Sequence, residues 1–344
     1  MEFNEYQTNI NDLRLEKCPE EVVEQFYDFI NNVPLIKWMV SKDRPRAKDL
    51  PRDSQGKIIV DITHPHILED MDYFRPTALH YKRYHTLTDL RPNSNPNSEF
   101  GKWIREEIRR CFEGYIRESD GEWITGDMYY FLNYCPILLS KVVEGKKALR
   151  MWDFPEIWEG HYLKFHYIEQ ARNNGHHGAE LAARGKGKSF TLASLMAKRF
   201  ILGESKEVNR EVKCLATAYQ KEYLTKDGLL NKFQSYIDFC AQNTEFPRKR
   251  LKNSLQDMTW KMGYIDLDTN AQKGTLNEVI GVSSKDDESK LRGKRGVLIA
   301  IEEFGSFPNL LDLFGTLRPN VEDGDAVFGL IYMQGTAGDD DSDF

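Results

Sequence analysis

The chain has no long apolar run: nothing in its 344 residues approaches the ~20 consecutive apolar positions that a membrane-spanning helix needs. Its first residues, MEFNEYQTNINDLRLEK, lack both the apolar core of a secretion signal and the arginine excess of a transit peptide. A soluble protein of the cell interior is expected. Cysteine is scarce and scattered, at Cys18, Cys111, Cys135, Cys214 and Cys240, with no CxxC pair. That argues against a disulfide framework and a structural zinc site, so buried or inert thiols are expected. The histidine pairs His64/His66 and His176/His177 lack a third ligand at motif spacing, and no zinc is expected there.

Basic residues are outnumbered, 47 Lys and Arg against 54 Asp and Glu. Taken whole, that balance is wrong for a nucleic-acid binder. Its distribution removes the objection, because residues 322–344 hold seven acids and no Lys or Arg, leaving the rest of the chain neutral. Basic clusters remain at Arg248-Lys249-Arg250-Lys252 and at Lys290-Arg292-Lys294-Arg295. Charge therefore neither supports nor excludes a nucleic-acid partner. What is present is an ordinary globular balance, 40% hydrophobic and 29% charged, which excludes a disordered chain. The length implies about two domains.

Residues 20–33 place Val22, Val23, Phe26, Phe29, Ile30 and Val33 at helical spacing. Residues 41–100 show little periodicity, and RPNSNPNS at 91–98 reads as a loop. Phe100–Arg117 returns to helical spacing, followed by the aromatic block EWITGDMYYFLNYCPILL. After about residue 175 the pattern changes. AELAA (179–183), VKCLATA (212–218), NEVIGVSS (277–284), VLIAI (297–301) and VFGLIYMQG (327–335) are short apolar runs predicted as strands. Ser189–Leu202 and Lys221–Ala241 are predicted as helices between them. Buried strands alternating with helices predict an α/β domain on a mainly parallel sheet.

The strongest local signal is Ala182-Ala183-Arg184-Gly185-Lys186-Gly187-Lys188-Ser189, which fits [AG]xxxxGK[ST] between a strand and a helix. Glycines 185 and 187 let backbone N–H groups turn toward a phosphate, and the helix from Lys188 aims its positive end at that anion. Lys188 would bridge the β- and γ-phosphates, and Ser189 would offer its hydroxyl oxygen to Mg²⁺. A second signal is the strand VLIAI ending in Glu302-Glu303. The first acid would hold the Mg²⁺ shell and the second would polarise an attacking water. A third is the strand ending Gln334-Gly335-Thr336-Ala337, read either as a reporter of the γ-phosphate or as a simple turn. A fourth is Lys290-Leu291-Arg292-Gly293-Lys294-Arg295, either a source of an arginine finger or a solvated basic turn.

With these pieces in order, the chain resembles the ATPase part of the tailed-phage terminase large subunit. The resemblance rests on ARGKGKSF (183–190), LRGKRGVLIAIEEFGSFP (291–308), QGTAG (334–338) and the block ITGDMYYFLNYCPI (124–137). It covers about residues 120–344. It implies an additional-strand P-loop ATPase with ATP and Mg²⁺, a mostly helical N-terminal region, and Walker A and Walker B sites. It implies double-stranded DNA held by its backbone, portal and small-terminase partners, and a ring on the portal, with a monomer possible in isolation. It places the protein in the host cytoplasm. On its motifs, Arg184, Gly185, Lys186, Gly187, Lys188, Ser189 and Phe190 form the phosphate loop. Ser189 and Glu302 lie on the metal side, Glu303 is the catalytic acid, and Thr336 falls in the coupling motif. Arg184 and Arg292 compete for the finger role. Tyr167 and Gln170 are the nearest adenine candidates, with Tyr129 and Tyr130 behind them. The expected divisions are an unassigned region at 1–120, an aromatic lid or adenine-side segment at 121–175, the ATPase core at 176–338 and an acidic tail at 339–344. The chain ends soon after QGTAG, so no nuclease activity is expected from it. The alternatives are another DNA-dependent motor of the same class, helicase-like or for repair, and a non-catalytic nucleotide-gated assembly module.

Overall fold

The computed structural model describes residue 24 and residues 41–141, 149–285 and 291–336. Cys18, Lys290, Ala337, the acidic tail and, but for Glu24, the expected helix over 20–33 lie outside the described residues. The described residues divide into two compact units, one holding residues up to 70 with 116–123, the other 71–115 with the residues from 124 onward.

The first unit is short on regular structure, and Arg52 ties it together. Its guanidinium donates to the carbonyls of Gly121 (3.2 Å) and Asp120 (2.5 Å). Gly121 has φ 73°, and a Cβ there would overlap the guanidinium, so the turn needs glycine. His66 Nε2 lies 2.7 Å from the Glu122 carboxylate, both buried.

The second unit carries a seven-stranded sheet: β1 (Gly178–Leu181), β2 (Lys213–Ala218), β3 (Arg250–Ser254), β4 (Thr259–Met262), β5 (Glu278–Ser283), β6 (Leu298–Glu302) and β7 (Leu330–Gly335). The order across it is β1-β7-β6-β2-β5-β4-β3. The first five are parallel, and β4 and β3 extend the edge as an antiparallel pair. The last of the described strands, β7, is thus inserted between the strand before the phosphate loop and the strand that carries the acid pair. This is the expected α/β P-loop NTPase fold with its additional strand.

Helices cover both faces: α1 (Pro76–Tyr84), α2 (Glu99–Glu113), α3 (Gly126–Tyr134), α4 (Glu159–Asn173), α5 (Lys188–Ile201), α6 (Leu229–Asn243) and α7 (Leu310–Leu317). Side chains alternate along β6 as a strand requires. Ile299 and Ile301 join Leu313 and Leu317 of α7 in one buried cluster. Glu302 therefore faces the other side, toward α5. Helices α1 and α2 fall in the same unit as the sheet, because α2 and α1 pack on α3 and α3 packs on α5. The single helix expected over Lys221–Ala241 is two, Lys221–Thr225 and α6. Asp227 between them takes a left-handed backbone (φ 51°), and Gly228 passes too close to the Tyr223 carbonyl for any side chain.

Helix α5 is buried along almost its whole length, and its last turn ends in a charge cluster. Lys198 Nζ lies 2.6 Å and the Arg199 guanidinium 3.3 Å from the Asp127 carboxylate at the start of α3, with all three side chains nearly inaccessible. Arg199 and Lys198 hold the Asp127 carboxyl far below its usual range against the opposing effect of burial. Cys111, Cys135, Cys214 and Cys240 are free and buried, and burial pushes each thiol up.

Candidate active site

The parallel strands deliver their carboxyl ends to one edge of the sheet, and five polar groups meet there. β1 stops at Leu181 and the chain turns through Gly185 (φ 80°) and Gly187 (φ 76°) into α5. Both torsions lie in the left-handed region that side chains resist. The Ala182 amide donates to the Gly335 carbonyl (3.1 Å), which fastens the loop to β7. The Lys188 ammonium is curled back beneath the loop, donating to the carbonyls of Ala182 (2.5 Å) and Ala183 (3.4 Å).

From β6, the buried Glu302 carboxylate receives two donors. The Ser189 hydroxyl donates to Oε1, and the Gln334 amide of β7 donates to Oε2 at 2.5 Å. Burial pushes the Glu302 carboxyl up to about 7, opposed by these two hydrogen bonds and reinforced by the neighbouring Glu303 charge. Glu303 itself takes a left-handed backbone (φ 50°). Its Oε2 accepts from both the amide and the hydroxyl of Thr336, each at 3.2 Å. Ser189, Glu302, Gln334, Glu303 and Thr336 are thereby brought together from three elements far apart in sequence. β7 lies between β1 and β6, and Glu302 reaches Ser189 from the second strand over, so the acid strand ends beside the loop without pairing with the strand that precedes it.

The other residues expected at the site are spread more widely. Tyr167 sits on α4 against Gly178, the first residue of β1, where a Cβ would meet its ring at 3.2 Å. Gln170 is nearly a turn further along α4. The length of β1 separates Tyr167 from the loop. Tyr129 and Tyr130 are fully buried, their hydroxyls bonded to Glu107 and Cys240. Arg184 and Lys186 are exposed on the loop, and Phe190 is half-buried on the first turn of α5. Arg292 is exposed before β6, at the edge where the strands begin. Gly296, four residues later, bonds to the Asn320 carbonyl at that edge. The length of β6, about 17 Å by strand rise, stands between it and the loop of its own chain.

Three residues join the site without a motif to announce them. His161, in the first turn of α4, places Nε2 3.1 Å from the Lys186 carbonyl and against Gly187, so it braces the loop. Trp158, at the N-cap of α4, stacks on His161 with ring centroids 5.4 Å apart and planes 4° from parallel, and stays half exposed. Lys164 Nζ lies 2.8 Å from Glu180 of β1 and donates to the Thr191 hydroxyl of α5 (3.2 Å), while the Tyr332 hydroxyl of β7 donates to the same Glu180. These ties lock four elements beneath the loop. Only an aromatic residue at a helix start gives any signal in the sequence, and it is a common one.

Among solved structures, phage large terminases are similar to this chain at low identity. The chain is similar to the HK97 bacteriophage large terminase (14% identity, TM-score 0.37, covering 63% of this chain and 38% of that one). It is similar to the large terminase ATPase domain of Thermus phage P74-26 (14%, 0.35, 49% and 64%). It is also similar to the large terminase of a thermophilic bacteriophage in complex with ADP (11%, 0.30, 46% and 32%). The chain therefore spans less than two thirds of the length of each of these proteins. No family model and no curated protein matches it. Likenesses this distant concern the fold alone and carry no functional weight.

Proposed function

We propose that the chain hydrolyses ATP with Mg²⁺ and that hydrolysis drives double-stranded DNA into a phage procapsid. The observation that carries the hydrolytic part is the pairing of two adjacent carboxylates with two different partners. Glu302 is engaged by the phosphate-loop hydroxyl of Ser189, and Glu303 is held apart from it by Thr336. That division suits one acid to the metal side and the other to water.

The residues fit Mg²⁺. Ser189 and Glu302 offer oxygen donors only, as a hard cation prefers. Gln334 Oε1 is buried beside them without a hydrogen-bond partner among the described residues. When bound, the ion would neutralise charge on the β- and γ-phosphate oxygens. Lys188 would exchange its two loop carbonyls for phosphate oxygens. The backbone amides from Gly185 to Lys188 would meet the same anion at the positive end of α5. Glu303, aimed by Thr336, would take the proton of the attacking water as it meets the γ-phosphorus.

The exposed Trp158 face, resting on His161 beside the loop, is the better adenine platform. Trp158→Ala is expected to raise the KM for ATP by roughly ten-fold, the scale of one stacking contact. Tyr167→Ala is expected to leave KM unchanged and to lower thermal stability. Steady-state kinetics and a melting curve on the two variants decide between the surfaces.

Arg184 stands on the loop and would act within its own chain, whereas Arg292 would act only on a neighbouring copy in a ring. Contacts to DNA backbone, a portal and a small terminase subunit belong to the same reading, as does a phage protein working in its host's cytoplasm. The test is Mg²⁺-dependent ATP turnover by wild type and Glu303→Gln over a range of protein concentrations, with and without double-stranded DNA. Turnover that Glu303→Gln abolishes and that DNA stimulates is the expected result. ATP binding without turnover at any concentration would favour a nucleotide-gated module.

A further inference from the structure

Helix α6 brings a lysine to the phosphate site from a part of the chain that carries no motif. Lys232 is half-buried, and its ammonium lies 5.1 Å from the ring centre of Phe190, the residue after Ser189. It donates to the Asp227 backbone carbonyl and makes no ion pair among the described residues. The carbonyl that holds it belongs to the left-handed residue of the tight turn before α6. Burial pulls its pKa down, while the Glu302 and Asp227 charges push it up. The Lys232 charge in turn steadies the Glu302 carboxylate, less than the Ser189 and Gln334 hydrogen bonds do. Lys188, the cation of the loop itself, is meanwhile engaged with Ala182 and Ala183.

A half-buried ammonium without a carboxylate partner is an expensive arrangement where a methionine would pack as well. It becomes favourable when an anion arrives, and the start of α5 beside it is where an anion belongs. The β-phosphate is the business of the loop amides and Lys188. Lys232 comes instead to the first turn of α5 at Phe190, next to the Ser189 hydroxyl that meets Glu302, on the metal side of the site where a terminal phosphate belongs.

We propose that Lys232 is a second phosphate-binding cation, supplied in cis from α6, which engages the terminal phosphate of a triphosphate and so distinguishes ATP from ADP. The proposal rests on the ATPase reading. On triphosphate binding the ammonium leaves the Asp227 carbonyl for a γ-phosphate oxygen; no bond other than hydrogen bonds changes.

The experiment titrates wild type, Lys232→Met, Lys232→Gln and Lys232→Arg with Mg²⁺-ADP and with Mg²⁺-AMP-PNP by calorimetry, alongside ATP turnover and a melting curve. Methionine keeps the stem over Phe190 and glutamine keeps a donor for Asp227, so the two differ in any packing effect and agree only in lost charge. Both are expected to weaken AMP-PNP binding roughly 10- to 100-fold, the scale of one charge-assisted hydrogen bond. ADP affinity should stay within about two-fold, and arginine should restore part of the difference. Equal losses for ADP and AMP-PNP, or no loss for either, would overturn the assignment while leaving the ATPase reading intact. Failure of wild type to bind either nucleotide would overturn both.

Discussion

Glu303→Gln is expected to lower the turnover number for ATP by about 10²- to 10⁴-fold, the usual contribution of a positioned general base. Affinity for ATP should stay within about two-fold, because the group lost acts in the transition state and not in binding. Glutamine preserves the size and can still accept from the Thr336 amide and hydroxyl that meet Oε2. It has no basic oxygen for the proton of water. Glu302→Gln is expected to behave differently. That side chain accepts from Ser189 and Gln334, and an amide there would lose one of the two acceptors and the charge that a divalent cation needs. Its defect should therefore appear in Mg²⁺ dependence and be partly relieved by more Mg²⁺, which the Glu303→Gln defect should not be. Single-turnover kinetics over a Mg²⁺ series separates the two, and full turnover in Glu303→Gln would sink the assignment of the base.

Asp127→Ala is expected to destabilise the larger unit by about 3–5 kcal/mol, the effect of removing one partner from a buried charge cluster. Lys198 would lose its carboxylate and Arg199 would keep only Glu204, in a place almost without solvent. At roughly 2–4 °C per kcal/mol for a unit of this size, the melting temperature should fall by about 6–20 °C. The sign with pH follows from the depressed carboxyl. Its contribution is fully present above the unfolded-state pKa and is lost only as pH falls through the much lower folded value. Mild acid should therefore leave this cluster intact. The same change together with Lys198→Met and Arg199→Leu should recover much of the loss, since no charge then remains unpaired. A melting curve for Asp127→Ala that matches wild type would show that water reaches the cluster.

Most of the strands legible in the sequence are buried on both faces: β2, β6 and β7 are mainly apolar runs because parallel strands under helices meet little water. β1 and β5 are legible though partly exposed. β3 and β4 are not legible. Arg250–Ser254 is an edge strand whose side chains are half-buried or exposed, and Thr259–Met262 alternates too briefly to stand out. The phosphate loop and the acid pair are legible because their chemistry fixes residue type and order within a few positions. His161, Trp158 and Lys232 are not, since each reaches the site by packing of one helix against another, which leaves no spacing to read. Tyr167 draws attention in the sequence by its closeness to the loop. Helix α4 runs back along β1, so the residues of that helix nearest the loop in sequence are the furthest from it in space.

The place of β7 also sets when this protein becomes competent during synthesis. β1 is laid down about 150 residues before β7, yet among the described residues its one neighbour in the sheet is β7. Until Leu330–Gly335 has been made, β1 lacks that partner. The Ala182 amide lacks its carbonyl, and Glu302 lacks the amide of Gln334. A nascent or truncated chain that stops short of Leu330 would hold β2, β5 and β6 without fastening the loop after β1 to the acid strand. That closure, spanning the longest separation in the sheet, is the slow step expected of its refolding.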